Sequence, residues 1–438
     1  MFLFIRDASL LAAQYARSAG IQQLPGGLRE VRANGAALLW TADAFTVVDR
    51  DNAGIAIRMQ RPHVDREPIC EVRWRPGEEV IVCRRRWSGE FSAYVNEPAA
   101  MITSHLKLGA LLRSQPYRGW KRIEPGHEAR VGAWGIRITR QHSWSAAFQM
   151  DYAATVREVR RLILESVASV PGHAALLLSG GIDSSVVAAA MRLAGKEVHA
   201  FTFGLDRLVH PQADLESDLI CARKVAAHLG IRLHEIYLGS RLLIGNVPLS
   251  IYLAETARGT IVDDCAALVE VARRMAAAGF SQVWMGEAAD DLFGGFKFAL
   301  RYYRGAQLRA YYRAQLTRDL PNELAIIQNV FGWFGIAVVQ PMWTEALLRI
   351  GYNLPLAFRL DRKRLMKRVL RDAFAAELPA EIASRPKCVT RDSTQIRYVL
   401  EKEFGEGRDR YRALFRRIMG ERARWPRKFS QLLKTCRS

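Results

Sequence analysis

"LLLSGGIDSSVVAAA", Leu176 to Ala190, decides how the rest of the sequence is read. An apolar run ends at Ser179 and two glycines, and a helix-forming stretch begins directly after them. "AALLLS" has the composition of a buried strand. "SSVVAAAMRLAG" has that of the helix behind it, with Gly195 placed as its C-terminal cap. In the connection "SGGID", Gly180 and Gly181 let the backbone bend and approach a ligand closely. The helix start offers unpaired N–H groups and the positive end of a dipole, which suits an anion such as phosphate. Ser179 and Ser184 add hydroxyls. Asp183 is no partner for phosphate, because like charges repel, but a magnesium ion between its carboxylate and phosphate oxygens removes the conflict. The chain contains no GxxxxGK, so no lysine supplies the charge in this loop. A glycine turn between strand and helix is common in α/β folds. The whole of "SGGIDSS" in that setting is far more specific.

Outward from this turn the texture differs on the two sides. From Met1 to about Arg140 the segments are short and β-like: "EEVIVCRRRW" and "EFSAYV" are rich in β-branched and aromatic residues, and "RPGE" and "EPGHE" are turn signals. After "RQHSW", the stretch "YAATVREVRRLILESVASV" places Val156, Val159, Ile163 and Val167 on one helical stripe. Helices then alternate with the apolar runs "AALLLS", "EVHAFTFG", "IRLHEIYL" and "SQVWMG", which predicts a parallel sheet covered by helices. The boundary falls near Trp144, giving a β-rich domain over 1–144 and a second domain over 145–438. From about Leu300 the pattern is helical.

The composition narrows the class. Of 438 residues, 50% are hydrophobic and 25% charged, as in a soluble globular protein with material for two domains or one large one. No apolar stretch approaches the length of a membrane span, and Arg6 and Asp7 interrupt the briefly apolar start, which makes a poor signal peptide. Cys70, Cys83, Cys221, Cys265, Cys388 and Cys436 are scattered without a CxxC. They read as reduced thiols in a cytoplasmic protein, with no disulfide scaffold or structural zinc. The formal charge of +20 suits nucleotide phosphate, acidic peptide or nucleic acid and does not choose among them. Part of the excess sits in the arginine-rich tail from Arg408 to Ser438, which reads as a solvated helix or as a binding surface.

The loop resembles the PP-loop of ATP pyrophosphatases, whose signature is SGGxDS. In that family the loop binds pyrophosphate, and ATP is cut between its α and β phosphates to adenylate a substrate. A second stretch, "MGEAADDLFGGF" from Met285 to Phe296, is similar to the asparagine synthetase signature SGEG(S/A)DE(L/V)FGGY. Glu287, Asp290, Gly294 and Gly295 match; Ala288 replaces a glycine and Asp291 a glutamate. Acidic residues after a strand end are placed to complete a magnesium site with Asp183 in the crevice where open α/β sheets bind ligands. An acidic helix start favoured by the dipole would account for Asp290 and Asp291 but not for the whole pattern. "FTFGLD" resembles the strand that meets adenine, which puts Phe203 there. "LMKRVLRDAFAAELPAEIASRPK" resembles the helical region leading to a phosphate-neutralising lysine, which maps to Lys387; "CVTRDSTQ" then replaces the family's glycine-rich run. The resemblance spans roughly Tyr152 to Ile396. It implies an ATP site of Leu177, Ser179, Gly180, Gly181, Asp183, Ser184, Phe203 and Gly286. Asp183 and Asp290 would hold Mg2+, with Glu287 and Lys387 as catalytic groups.

Before this region, "EVIVCRRRWSGEFSAYV" and "KRIEPGHEARV" faintly resemble the family's glutaminase domain, whose nucleophile is a cysteine directly after the initiator methionine. Here that residue is Phe2 and the first cysteine is Cys70. Without a terminal thiolate, glutamine cannot be split by that chemistry. The resemblance therefore implies a degenerate glutaminase-like, N-terminal-nucleophile-type β-rich domain. Behind it comes a PP-loop synthetase domain of the adenine-nucleotide α-hydrolase-like type, with a parallel sheet and a helical C-terminal part.

With the ammonia source gone, the attacking amine is expected from the substrate itself, which closes a lactam. Two branches of the superfamily do this: β-lactam or carbapenam synthetases, and the cyclases of lasso peptides, which join an Asp or Glu side chain to the peptide's N-terminal amine. The β-lactam branch has a tyrosine where this chain has Glu287, which favours the lasso-peptide branch. The expected partners are then a leader-cleaved precursor peptide and the leader peptidase, with no membrane and no nucleic acid. Asp263 and Asp264 stand where the family binds substrate and could greet an ammonium group, or simply cap a helix. The rivals are amidation by free ammonia or a partner glutaminase, a tRNA-modifying PP-loop enzyme, which the basic tail would fit, and a non-catalytic scaffold.

Overall fold

The N-terminal strands alternate buried and outward residues, the two-residue period of a sheet with one covered face. The strands are β1 (Phe2–Ile5), β2 (Leu28–Ala33), β3 (Ala36–Thr41), β4 (Thr46–Asp51), β5 (Gly54–Met59), β6 (Cys70–Trp74), β7 (Ile81–Arg85), β8 (Tyr94–Asn96), β9 (Met101–Thr103), β10 (Trp120–Arg122), β11 (His127–Gly132) and β12 (Gly135–Arg140). They form two antiparallel sheets, ordered β10-β8-β9-β1-β3-β2 and β12-β11-β7-β6-β5-β4. Ile55, Ile57, Val72 and Cys83 of the second sheet share one core with Trp40, Val95 and Ile102 of the first, so the two sheets face each other. The computed structural model describes residues 2–5, 28–33, 36–41, 45–51, 54–61, 65, 67–74, 80–96, 101–104, 120–132, 134–144, 150–171, 174–206, 218–360, 365–388 and 390–420. Most of the basic tail, 421–438 with Cys436, lies outside them.

The second half is built on five parallel strands: β13 (Ala174–Leu177), β14 (Val198–Leu205), β15 (Arg232–Leu238), β16 (Gln282–Trp284) and β17 (Ala337–Val339). Their order is β15-β14-β13-β16-β17. The main helices are α1 (Tyr152–Ser169), α2 (Ile182–Leu193), α3 (Asp218–Leu229), α4 (Ser240–Ala254), α5 (Gly259–Ala277), α6 (Ala289–Phe293), α7 (Lys297–Tyr302), α8 (Gly305–Ala314), α9 (Leu320–Trp333), α10 (Glu345–Asn353), α11 (Arg368–Ala373), α12 (Ile396–Phe404) and α13 (Arg412–Gly420). Successive strand residues feed opposite cores. Leu176, Ala200, Trp284 and Val339 pack under α1, α2 and α3. Ala175, Phe201, Val283 and Val338 pack under α4, α5 and α9. Both faces are covered, as a parallel sheet requires.

Local expectations are met with small shifts. On α1 the buried stripe is Thr155, Val159, Ile163 and Val167, with Val156 only partly buried. Asp151 caps this helix, its side chain accepting from Ala154 N at 2.7 Å. Gly195 does end α2, at φ +69, with Lys196 N donating to Met191 O at 3.0 Å. The helical reading of the C-terminal third needs one correction. β17 lies inside it, a three-residue strand too short to stand out between helical patterns.

The two halves are stitched through buried polar bonds. Arg61 donates to Val338 O on β17 at 2.8 Å and to Glu90 Oε1 at 2.8 Å. Arg85, 1% exposed, donates to Asn322 Oδ1 on α9 at 2.9 Å and to three carbonyls of its own half. Trp343 donates its ring N–H to Ser88 O at 3.0 Å. Removing any one of these leaves buried partners unsatisfied, a cost of ~1–3 kcal/mol each.

Candidate active site

In the order β15-β14-β13-β16-β17 the chain winds outward from β13 in both directions. The crevice at the carboxyl ends of β13 and β16 is therefore the switch point where such sheets take ligands. "SGGID" leaves β13 there and "GEAADD" leaves β16. Gly180 sits at φ +68, and a Cβ on it would stand 2.3 Å from the carbonyl carbon of Cys221, so its turn packs directly on α3. Gly286 is equally constrained: a Cβ there would lie 2.5 Å from Ser184 N and 2.6 Å from the carbonyl carbon of Asp183. The second motif thus runs against the first turn of α2, and both glycines answer to packing as well as to any ligand.

The loop holds itself in shape. Ser184 Oγ accepts from Ser179 N at 3.2 Å and lies 3.2 Å from Ser179 Oγ, which accepts from Gly181 N at 3.3 Å. Gly181 caps α2 without a side-chain hydrogen bond, so the helix start keeps its affinity for an anion.

Two lysines and two aspartates meet at this point. Lys367, 1% exposed, donates to Asp183 Oδ2 and lies 2.5 Å from Asp290 Oδ1. Lys387 donates to Asp290 Oδ2 at 2.6 Å and stands 3.7 Å from Asp183 Oδ2. Burial pushes the Asp290 carboxyl up, but Lys367 and Lys387 more than reverse this and hold it well below the usual range. Burial pushes Lys387 down, and Asp290 and Asp183 more than offset it, so its ammonium is kept charged. Lys387 is fixed from behind: Arg385 donates to Asp218 Oδ1 at 3.2 Å, and Arg371 donates to Arg385 O at 2.8 Å.

Lys367 was not singled out in the sequence. Its surroundings "DRKRLMKRVLR" hold several cations, and nothing in the pattern marks one of them as buried. Its backbone is unusual, at φ +62, a conformation that costs a non-glycine residue ~1–3 kcal/mol and is concentrated at functional sites.

Asp183 Oδ1 is buried and accepts no hydrogen bond. Among the described residues no three or more His, Cys, Asp or Glu side chains form a metal cluster. A divalent cation would therefore take Asp183 and Asp290 and need further oxygens from elsewhere. That is the usual manner of Mg2+, which is bound by one or two carboxylates plus phosphates and water, and the residues fit it.

Beyond the lysines lies a second acidic group. Glu287 stays open to the crevice while protein crowds around it. Burial, helped by Asp290, Asp183 and Glu323 and opposed by Lys387, pushes its carboxyl up to about 7. Asp291 and Glu323 are also raised, first by burial. Arg258 stands 3.9 Å from Glu323 at the edge of the group.

Other residues fall elsewhere. The ring of Phe203 is 6% exposed and belongs to the core beneath α4 and α5. Leu177 is partly buried against the same core. Asp263 does not stand at a helix cap. It is buried inside α5, accepting from Arg410 and, at 2.7 Å, from Tyr411 Oη. That bond fastens the C-terminal segment to α5, and a carboxylate so paired is not free for an incoming ammonium.

Residues 158–331 match the asparagine synthase family. The chain is 26% identical over 257 residues to asparagine synthetase B [glutamine-hydrolyzing] of Escherichia coli (strain K12), covering 54% of this chain and 45% of that one. It is 29% identical over 235 residues to the carboxyethyl-arginine beta-lactam-synthase of Streptomyces clavuligerus, covering 53% and 43%. Against asparagine synthetase [glutamine-hydrolyzing] 2 of Arabidopsis thaliana the figures are 28% over 234 residues, 48% and 38%. The chain thus spans less than half the length of each of these relatives. The asparagine synthase-like segment runs from α1 to α9 and contains both motifs of the crevice, whereas Lys367 and Lys387 come from beyond it. Among the described residues no helix is long and apolar enough to cross a membrane.

Proposed function

We propose that this protein is an ATP-dependent, AMP-forming C–N ligase that activates a carboxylate as its adenylate and closes a lactam within one substrate. The observation that carries this is the meeting of Asp183, Asp290, Lys367 and Lys387 at the carboxyl ends of β13 and β16. Four alternating charges, two of them brought from distant helical segments, suit a triphosphate and its cation.

Ser179, Gly180, Gly181 and Ser184 cradle the diphosphate end of ATP at the start of α2. Asp183 and Asp290 would hold Mg2+, which would neutralise the charge of that diphosphate. A substrate carboxylate oxygen attacks the α-phosphorus, the bond to the β-phosphate oxygen breaks, and diphosphate leaves. Lys367 and Lys387 offset the negative charge that develops. The substrate's own amine then attacks the acyl carbon, and AMP departs as the amide forms. Glu287, with its carboxyl near neutrality, takes the proton the amine gives up. Holding amine and anhydride together supplies much of the rate.

Within this class we favour the macrolactam of a lasso peptide, with a leader-cleaved peptide as substrate and the leader peptidase as partner. The support is Glu287, standing where the β-lactam branch has a tyrosine. The similarity to a beta-lactam-synthase keeps a small-ring lactam as the second reading.

The test is substrate-dependent ATP–diphosphate exchange followed by mass spectrometry of the product. Lactam closure loses one water; amidation replaces a hydroxyl with an amine. Exchange in the wild type that vanishes in Asp183→Ala supports the reading, and exchange that survives Asp183→Ala defeats it.

A further inference from the structure

Between Asp290 and α9 lies a segment that the chemistry above does not use. Residues 297–318, "KFALRYYRGAQLRAYYRAQLTR", contain no Asp or Glu, while basic and aromatic residues alternate through them. They fold as α7 and α8, followed by a π-helical turn over Gln315–Asp319, with a small core of their own in which Ala299, Leu308 and Tyr312 are buried. The rings form a continuous set. Phe296 meets Tyr312 with ring centroids 6.5 Å apart, Phe298 meets Tyr311 at 5.7 Å edge-on, and Tyr303 stacks on Tyr311 at 5.2 Å.

One end of this set reaches the candidate active site. Phe296 directly follows Gly294 and Gly295, and a Cβ on Gly295 would overlap the Asp290 carboxylate. Tyr312 lies under the Arg359 guanidinium at 4.3 Å, and Arg359 in turn donates to Leu292 O at 2.7 Å within α6. Asp291 is close enough to raise the Tyr311 hydroxyl, after burial itself. The other end is open. Phe298 is 50% exposed, and on the same helix Tyr302 is 69% exposed with the Arg301 guanidinium 5.9 Å from its ring centre; Arg304 and Arg309 are exposed in the same segment. Scattered apolar side chains on a surface need no explanation, but a contiguous aromatic set rimmed by cations and joined to a crevice marks an interaction site.

We propose that α7 and α8 form the docking platform for the substrate, and that this substrate is a peptide carrying acidic and aromatic side chains. The inference rests on the peptide reading of the function. The cations match a chain bearing the carboxylate to be activated, the rings offer stacking faces, and the platform runs into the crevice at Asp290. Single-stranded nucleic acid also takes aromatic and cationic surfaces, but it carries no carboxylate for the neighbouring crevice to activate.

The test is fluorescence anisotropy with a short fluorescein-labelled peptide of alternating Glu and Trp, a Lys–Ala peptide as control, and a labelled oligothymidine. The wild type is expected to bind the Glu–Trp peptide over both others, and the Phe298→Ala, Tyr302→Ala double variant to bind it roughly tenfold more weakly, as when interface anchors are truncated. Both rings are exposed, so the variant is expected to keep its fold, which an unchanged circular dichroism spectrum and thermal midpoint verify. Equal affinity in wild type and variant, no binding of the peptide by the wild type, or tighter and steeply salt-dependent binding of oligothymidine overturns the proposal. Asp183→Asn separates it from the reading it rests on: this change removes exchange and leaves peptide binding intact. Peptide binding by a wild type that shows no exchange upholds the platform and sinks the ligase alone.

Discussion

Lys367 bridges Asp183 and Asp290: one ammonium, almost wholly buried, donates to the carboxylate that follows β13 and lies 2.5 Å from the carboxylate that follows β16. The two motifs lie about a hundred residues apart in sequence, and this cation joins them together with Lys387. Replacing it with a methionine of similar length leaves two facing carboxylates with only Lys387 between them. Breaking a buried pair on one side costs ~3–5 kcal/mol, and losing a charge-stabilising donor costs on the order of 100-fold or more in rate. Lys367→Met is therefore expected to lower the thermal midpoint and to reduce ATP–diphosphate exchange by at least that factor. Differential scanning calorimetry and an exchange assay on one preparation check both.

Glu287 gives a pH signature. Its carboxyl, open to the crevice, is pushed up from the usual 4.5 to about 7 by the protein crowded around it and by the neighbouring Asp290, Asp183 and Glu323 carboxylates. The folded state therefore keeps a proton that the unfolded chain has already released. Glu287's contribution to stability is complete below about pH 4.5 and is lost as pH rises through about 7. Glu287→Gln is expected to flatten the fall of the thermal midpoint over that window. The same substitution removes the proton acceptor. Amide formation in the wild type is expected to rise as pH passes 7, and Glu287→Gln to abolish that limb while retaining exchange. A variant that loses exchange and amide formation in parallel contradicts this role.

Two positions in the second motif test the backbone. Ala288 sits at φ +74, where the asparagine synthetase signature has glycine. Left-handed backbone costs a non-glycine residue ~1–2 kcal/mol, and the buried methyl returns ~0.8 kcal/mol. Ala288→Gly is thus expected to stabilise slightly, within about 1 kcal/mol, as read by urea unfolding. At Gly295 an added Cβ would come 1.7 Å from Asp290 Oδ1. Gly295→Ala is expected to displace that carboxylate and abolish exchange while leaving the circular dichroism spectrum unchanged.

Asp263 separates structure from chemistry. It is held by Arg410 and Tyr411, away from the crevice. Tyr411→Phe is expected to destabilise the protein by ~1–3 kcal/mol through a buried carboxylate left short of a donor. The KM for substrate at a temperature well below the transition should not move. A raised KM would restore Asp263 to the substrate site.

The sequence by itself determined the strand–turn–helix at Leu176–Ala190, the parallel sheet, the β-rich first half and the candidates Asp183 and Asp290, whereas Glu287 and Lys387 came from the resemblance to asparagine synthetases. Each of these is a local matter of periodicity, glycine placement or a contiguous motif, and local rules are written in adjacent residues. Tertiary structure alone decided four other things. It put Lys367 between the two aspartates, turned the Phe203 ring into the core, assigned Asp263 to a buried latch, and added β17 at the sheet edge. Each depends on which distant segment packs against a given residue. A lysine among lysines, a phenylalanine on a strand buried on both faces, and an aspartate in a helix carry no mark of their eventual partners until the chain has closed around them.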